Sequence, residues 1–548
     1  MQDCYARVVT SCKVAGMNRR DMIKLSATGS MAALTSAVST DVLAATKRAS
    51  ASQATVPQWE MFEITLDGPA TGNPYVDTQL TAIFSLDHRT LQIDGFYDGE
   101  GKYKLRFMPD TLGDWSYITD SNVPALAGKT GRLTCIAPLA GVHGPVQVRN
   151  THHFAYADGT PYFPFGTTSY AWVHEPEELQ EQTLETLRAS SFNKIRMCVF
   201  PKSYEYVHNE PPMYPFERDA SGVSDFAKFN PAYFAHLEKR IGDLRELNIE
   251  SDLIVFHPYD RWGYSRMPAE ADDRYLKYVL ARFSAYRNIW WSLGNEFDLM
   301  RAKSVQDFDR FFHIVETHDA FSHLRSIHSG KTRYDYSKPW VTHACMQTSQ
   351  LEAATWLEAF RKPLVFDEVG YEGNLNRRWG TLSGEEMLHY VWLGVIAGCY
   401  VTHGETLLDE DAEMSEDTTP LLWWARGGKL KGTSPARIFF LRKLVEETAT
   451  AGGPSSKRTG LTASADDYYS SATATDDTGK KVLRILYYMS THQPLWYEFP
   501  LPEGEFTAEF IDTWEMTITP VPGKFSGKTK LRLPVKISQA LRFTRIDA

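Results

Sequence analysis

Cysteine is scarce in this chain, 6 in 548 residues, and the wide spacing offers no disulfide framework. Three of the four beyond the first 45 residues sit inside apolar runs (RMCVF, HACMQ, GCYVT) and read as buried free thiols. No apolar run reaches the ~18–20 residues of a membrane-spanning helix, so no membrane span is expected. A basic excess is missing too: Lys and Arg total 58 against 68 Asp and Glu, a net charge of −10. A groove that tracks phosphates needs the opposite balance, which excludes nucleic acid as a partner. HExxH and CxxC spacings are absent, so no metal is expected. GxSxG does not occur in a strand-turn-helix setting, and GTPYFPFG lacks the glycines of a phosphate loop, so serine-esterase chemistry and nucleotide cofactors drop out. No cofactor of any kind is expected. What the chain has in quantity is aromatic residues, 13% with 14 Trp and 27 Tyr, which serve as flat stacking faces as well as core.

Residues 17–45 read MNRRDMIKLSATGSMAALTSAVSTDVLAA. Arg19-Arg20, a mild Ala/Ser/Thr/Leu stretch and the small-residue ending Val42-Leu43-Ala44 resemble a twin-arginine export signal. Residues 1–45 are therefore read as an address, with Met17 as a second candidate start. The expected destination is the periplasm or exterior of a bacterium. A small-residue linker follows over 46–55.

Three blocks come next. Residues 56–141 carry short alternating runs (WEMFEITL, LTAIFSL, YKLRFM, WSYIT) broken by DGP, GNP and DGEG, the pattern of an antiparallel β-sandwich. Over 142–450 the rhythm changes to eight short apolar runs, among them NKIRMCVF, ESDLIVFH, NIWWSLGN and PLVFDE, several preceded by helical patterns. Phe234, Leu237, Ile241 and Leu244 share one helix face. Strand-helix alternation over eight strands predicts an α/β fold, a (β/α)8 TIM barrel, with an abbreviated unit between LRSIHS and WVTHACM. Ser434 is expected to cap a last helix with Pro435 at its first position. A second linker over 451–460 precedes 461–548, where alternation returns (KVLRILYY, LWYEF, FTAEFID, KLRLPV), a C-terminal β-sandwich. The barrel is thus expected between two sandwiches.

The chemistry concentrates at two strand ends. Ile289-Trp290-Trp291-Ser292-Leu293-Gly294-Asn295-Glu296 and Pro363-Leu364-Val365-Phe366-Asp367-Glu368 each finish an apolar run on a carboxylate. Strand ends build the active site of this fold, and desolvation there raises a carboxyl pKa toward an acid/base range. Two acids across a barrel mouth are the minimum equipment for cutting a glycosidic bond.

Trp-Ser-Leu-Gly-Asn-Glu resembles the fourth-strand motif of clan A glycoside hydrolases, and Val-Phe-Asp-Glu their seventh-strand motif. The resemblance implies Glu296 as general acid/base, Glu368 as nucleophile, Asn295 holding the sugar 2-hydroxyl, Arg196 supporting the nucleophile, and retention of configuration. NPYVDTQLTAIFSL, GFYDGEGKYKLRFMPDTLGDWSY, YADGTPYFPFGTTSYAWVHE and WWARGGKLKGTSPARIFFLRKL resemble a bacterial group with an N-terminal domain of unknown function, an apiosidase-like barrel and a C-terminal module. That resemblance covers roughly 56–548. Apiosidase-type barrels usually show Gly-Asp where this chain has Asn295-Glu296, a departure that moves the pair toward ordinary clan A usage. The implied activity is a retaining glycoside hydrolase on a plant or bacterial oligo- or polysaccharide, with terminal cutting favoured by long loops. The alternatives are a carbohydrate-binding protein without turnover and a surface scaffold.

Further candidates line the expected mouth. Thr168, Tyr170 and Trp172 end the first strand, and the aromatic pair offers stacking faces. His257, Asp260 and Trp262 belong to a polar aromatic loop after the third strand, which also holds Tyr259 and Arg261. His343 is placed at the end of the sixth strand, His403 and Glu405 after the eighth, and Trp424 on the last loop. A homo-oligomer is left open, since flanking sandwiches can pack on their own barrel or on a neighbour's.

Overall fold

The computed structural model describes residues 54–412, 420–449, 462–465, 470–476 and 478–547. The export signal and the 451–460 linker lie outside the described residues, as do all but the last two residues of the 46–55 linker.

Eight parallel strands form the central barrel. Strands β1 (Gly166–Thr168), β2 (Lys194–Cys198), β3 (Glu250–Ile254), β4 (Ile289–Ser292) and β5 (Leu324–Ser326) pair in sequence order, as do β6 (Ala344–Gln347), β7 (Leu364–Glu368) and β8 (Tyr400–Val401). Parallel bridges Thr167–His403 and His328–Cys345 join the two groups and close the ring. Helices α1 (Glu177–Ala189), α2 (Pro231–Glu246), α3 (Ala269–Phe283), α4 (Val305–His318), α5 (Ala353–Phe360), α6 (Gly384–Ile396) and α7 (Ser434–Ala449) surround it. Among the described residues no helix joins β5 to β6, in line with the abbreviated unit read from the sequence.

Local chemistry starts these helices where it should. Ser304 and Ser383 each form a capping box with an acid three residues on, Asp307 and Glu386, satisfying backbone N–H groups that have no helical partner. Helix α7 departs from expectation. Ser434 is its first residue rather than its cap, and the N–H groups of Thr433 and Ser434 donate to the Glu372 carboxylate at 2.6 and 3.1 Å. An acid far away in sequence thus serves the helix N-terminus, where the dipole favours negative charge.

At the N-terminal end of the barrel a small sheet (Val146–Arg149, His153–Tyr156, Pro161–Tyr162) covers the strands. Phe154 and Tyr162 place their rings 5.1 and 6.1 Å from Trp290 at the start of β4. The opposite, C-terminal end is left free for a site.

The N-terminal domain is a seven-stranded sheet folded on itself. Strand Arg89–Tyr97 pairs with Leu80–Leu86 through its first part and with Lys102–Phe107 through its last. It changes partner near Gly95, where a side chain would meet Leu80 Cδ2 at 2.6 Å. One pair departs from the antiparallel pattern: Ala54–Pro57 runs parallel to Leu133–Ile136. Ala54 and Thr55 therefore belong to the sheet and not to the linker. A buried ionic network ties this domain to the barrel: Arg106 donates to Glu238 at 2.6 Å and Arg282 donates to Asp98 at 2.6 Å. The C-terminal domain sets a six-stranded sheet against the pair Trp496–Pro500 and Lys528–Arg532, with Tyr487, Phe499 and Phe543 between them. It meets the barrel where Tyr488 stacks on Trp392 at 5.0 Å and Arg437 lies 3.8 Å from the Trp514 ring centre.

Candidate active site

Glu296 lies just beyond β4, in a turn laced to both neighbouring strands. Asn295 N donates to Phe256 O at 2.9 Å and Phe297 N to His328 O at 3.0 Å. Between these anchors Glu296 is held left-handed, φ 47° and ψ 51°, which costs a non-glycine residue about 1 kcal/mol or more. Its carboxylate lines a cavity of about 670 Å³ at the C-terminal end of the barrel, a size typical of small-molecule sites.

Glu368 is the last residue of β7 and lines the same cavity. Its neighbour Asp367 faces the barrel interior, where Lys194 donates to it at 3.1 Å and Thr402 at 2.7 Å. Lys194 also reaches Asp252 at 2.7 Å. Arg196, fully buried on β2, sits above this group. Its Nη1 is 3.3 Å from Glu368 Oε1 and its Nη2 donates to Asn295 Oδ1 at 3.0 Å. The Tyr170 hydroxyl donates to Glu368 as well. One donor spans both acids: Gln347 Nε2 lies 3.2 Å from Glu296 Oε1 and 2.8 Å from Glu368 Oε2.

The two carboxyls are driven in opposite directions. Glu296 is pushed up, first by burial and then by the charge of Glu368, against a smaller pull from the Tyr259 hydroxyl that donates to it. For Glu368 burial also pushes upward, but His328, Arg196, the Tyr170 hydrogen bond and Lys202 together bring it below the usual range. His328 stands 3.8 Å away. Burial holds its own pKa near 4, so above that pH the positive charges acting on Glu368 are those of Arg196 and Lys202. Environments that separate two acids in this way assign one to give a proton and the other to stay ionised.

Of the residues picked out in the sequence, the fold brings Arg196, Tyr170, Asn295, Glu296, Glu368 and Trp424 together around this cavity. The others lie elsewhere. Trp172 is wholly buried in the hydrophobic core behind the first strand. His257 is buried off the cavity wall and pairs with Phe200 O at 3.2 Å. Asp260 is spent on its own loop, accepting from the backbone N–H groups of Trp262, Gly263 and Ser265. Trp262 donates to Glu210 at 3.1 Å and stacks on Tyr264. His343 precedes β6 instead of ending it, and packs 5.2 Å from the Trp290 ring at the far end of the barrel.

His403 and Glu405 form a separate buried group with Glu372, their ligand-type atoms within 4.8 Å of one another. Glu372 accepts four hydrogen bonds from Thr433 and Ser434, and Glu405 accepts from the Lys431 and Gly432 N–H groups at 2.7 and 2.8 Å. His403 pairs with Thr167 at 3.1 Å. With these donors in place, the two carboxylates act as a clamp on the start of α7.

Sequence reading missed two contributors. Gln347 ends β6, and its carboxylate-bridging amide carries no motif. Lys202 lies four residues beyond β2 and lines the cavity. Tyr259, from the loop expected to line the mouth, does line the cavity, and its hydroxyl donates to Glu296.

A closed parallel barrel with paired carboxyls at the C-terminal end, between two sheet domains, is the architecture of glycoside hydrolases. Residues 148–448 match the apiosidase-like catalytic domain, residues 55–122 a domain of unknown function (DUF5060) and residues 475–544 another (DUF5605). This chain belongs to the apiosidase-like family. A solved protein from Bacteroides vulgatus ATCC 8482, described provisionally as a glycoside hydrolase, is 38% identical with TM-score 0.82, over 90% of this chain and 100% of its own. A family 5 glycoside hydrolase from the same organism shares the fold at 14% identity and TM-score 0.55, over 74% of this chain and 93% of its own. None of the curated proteins matches this chain.

Proposed function

We propose that this protein is a retaining glycoside hydrolase that trims the ends of a plant or bacterial oligo- or polysaccharide. Glu368, ionised beside Arg196, attacks the anomeric carbon, while Glu296 gives its proton to the leaving oxygen. A glycosyl ester on Glu368 results. Water then attacks the same carbon, Glu296 takes the water's proton, and Glu368 is released. Asn295, which accepts from Arg196, takes the sugar 2-hydroxyl in this reading, a bond that tightens as charge develops.

The observation that carries this reading is the opposed shift of two carboxyls sharing one amide. The amide touching both acids keeps that pair of oxygens within about 6 Å, which supports the close pairing of a retaining enzyme. Terminal cutting is supported by four loops that each bring an aromatic side chain to the cavity: Tyr204, Tyr259, Trp379 and Trp424. Their rings contact one another, Tyr204 to Tyr259 at 4.9 Å and Trp379 to Trp424 at 5.2 Å, walling a pocket in place of an open groove.

The test compares the protein with Glu368→Gln on a panel of plant and bacterial oligosaccharides, with products read by mass spectrometry. Turnover by the parent alone supports the reading. A Glu368→Gln variant with near-parental rates would remove Glu368 as nucleophile, and binding without turnover by the parent would make this a carbohydrate-binding protein. Export belongs to the same proposal: changing Arg19-Arg20 to Lys-Lys should keep the protein in the cytoplasm.

A further inference from the structure

Lys202 is 4% exposed, yet among the described residues no hydrogen-bond acceptor or carboxylate pairs with its ammonium. Ring faces pack around it. Nζ lies 3.6 Å from the ring centre of Tyr170, 4.5 Å from Tyr259 and 5.0 Å from Trp424. The same lysine lines the cavity that holds Glu296 and Glu368. Aromatic faces stabilise a cation, but they accept none of the three N–H donors of an ammonium, and a buried charge is costly unless a partner answers it.

Glu296 and Glu368 favour its charge through space, yet among the described residues neither pairs with it directly. Glu368 is answered by Arg196 at 3.3 Å. Glu296 is held toward its neutral form by burial and by Glu368. Glu386, the remaining acid on the cavity wall, accepts from the Ser383 N–H of its capping box. At the mouth, Arg378 adds a second cation with no ion pair among the described residues. Lys202 and Arg378 therefore bring two cations without an ion pair among the described residues to a wall shared with the reacting carboxyls.

We propose that this pocket takes a sugar bearing an anionic group, a carboxylate or a sulfate ester, and that Lys202 pairs with that group. The proposal rests on the carbohydrate reading above and names the substrate class for the same site. Uronic acids carry a carboxylate on the ring itself, close to the anomeric centre, which suits an ammonium held beside both catalytic candidates. The rings around Lys202 fix its head in place, so an incoming anion meets a preset donor instead of ordering a flexible side chain. Burial lowers the Lys202 pKa, and a bound anion offsets that by holding the proton.

Calorimetry on the full chain tests this with matched pairs: methyl glucuronide against methyl glucoside, methyl galacturonide against methyl galactoside, and a sulfated galactoside against its desulfated form. At least one anionic member should bind about tenfold or more tightly than its neutral partner, the range of a charge-assisted hydrogen bond. Which pair discriminates tells carboxylate from sulfate. Lys202→Met should bring the ratio to within about twofold, while Lys202→Arg keeps most of it. If Lys202→Met fails to fold, loss of the parent's preference at high salt serves instead. Equal binding within every pair, no binding of any anionic member, or a preference that survives Lys202→Met overturns the proposal. Lys202-dependent anion binding with no turnover would remove the hydrolase reading and leave this one standing. Turnover of neutral glycans with no anion preference would do the reverse.

Discussion

Arg196 lies wholly buried beneath Glu368, its Nη1 3.3 Å from Oε1, while its other terminal nitrogen holds Asn295 at 3.0 Å. One guanidinium thus couples the ionisation of the proposed nucleophile to the position of the residue meant for the sugar. Its planar fork is what serves two partners at once. Arg196→Lys keeps a charge but cannot reach both. We expect kcat to fall by about 10- to 100-fold, with the acid limb of the pH profile moving to higher pH as Glu368 becomes harder to ionise. An unchanged acid limb would show that Arg196 does not set the Glu368 pKa.

Glu296 is expected to set the basic limb, because it must hold a proton to assist departure. Glu296→Gln should lower kcat by about 10²- to 10⁴-fold on substrates with poor leaving groups, and much less on activated aryl glycosides. Tyr259→Phe tests the same group from outside. The tyrosine hydroxyl donates to Glu296 and lowers its pKa, so removing it should shift the basic limb to higher pH. A shift to lower pH would contradict the assignment.

Glu250 sits buried on β3, where among the described residues only Trp290 Nε1 donates to it, at 3.1 Å. Burial pushes its pKa from the usual 4.5 to about 8. Between those values the folded state binds more protons than the unfolded chain, so stability falls as pH rises from 4.5 to 8 and levels beyond. Glu250→Gln keeps an acceptor for Trp290 and abolishes this dependence. We expect little change at pH 5 and a gain of about 1 kcal/mol or more at pH 8–9 in urea melts. Parallel stability curves for the two proteins would refute it.

Gly432 passes between the two carboxylates that clamp α7. A side-chain carbon there would lie 2.5 Å from Glu372 Oε2 and 2.7 Å from Glu405 Oε2. Gly432→Ala must displace one of them, so a loss of about 1–3 kcal/mol is expected, read as a lower Tm. A neutral effect would mean that the clamp contributes nothing to stability.

The barrel was legible in the sequence because parallel strands buried on both faces appear as continuous apolar runs, and a carboxylate ending such a run stands out against it. NIWWSLGNE and PLVFDE therefore pointed at Glu296 and Glu368 without any knowledge of their separation. The same cue misled at WVTHACMQ. The strand covers only Ala344–Gln347, so His343 falls at the closed end and Gln347, unremarked in the sequence, falls between the two acids. Strand ends within an apolar run have no local marker, and a shift of four residues exchanges one end of a barrel for the other.

Sequence alone determined the element types, their order and the two carboxyls, since these follow from hydrophobic periodicity and residue chemistry along the chain. Tertiary structure alone decided which acid is raised and which lowered, because that depends on Arg196, Tyr170, Gln347 and Tyr259 arriving from four other strands or loops. It also decided that Glu372 and Glu405 clamp a helix and that Lys202 stands among aromatic rings. Desolvation and charge pairing act through space over a few ångströms, and only the closed barrel sets those distances.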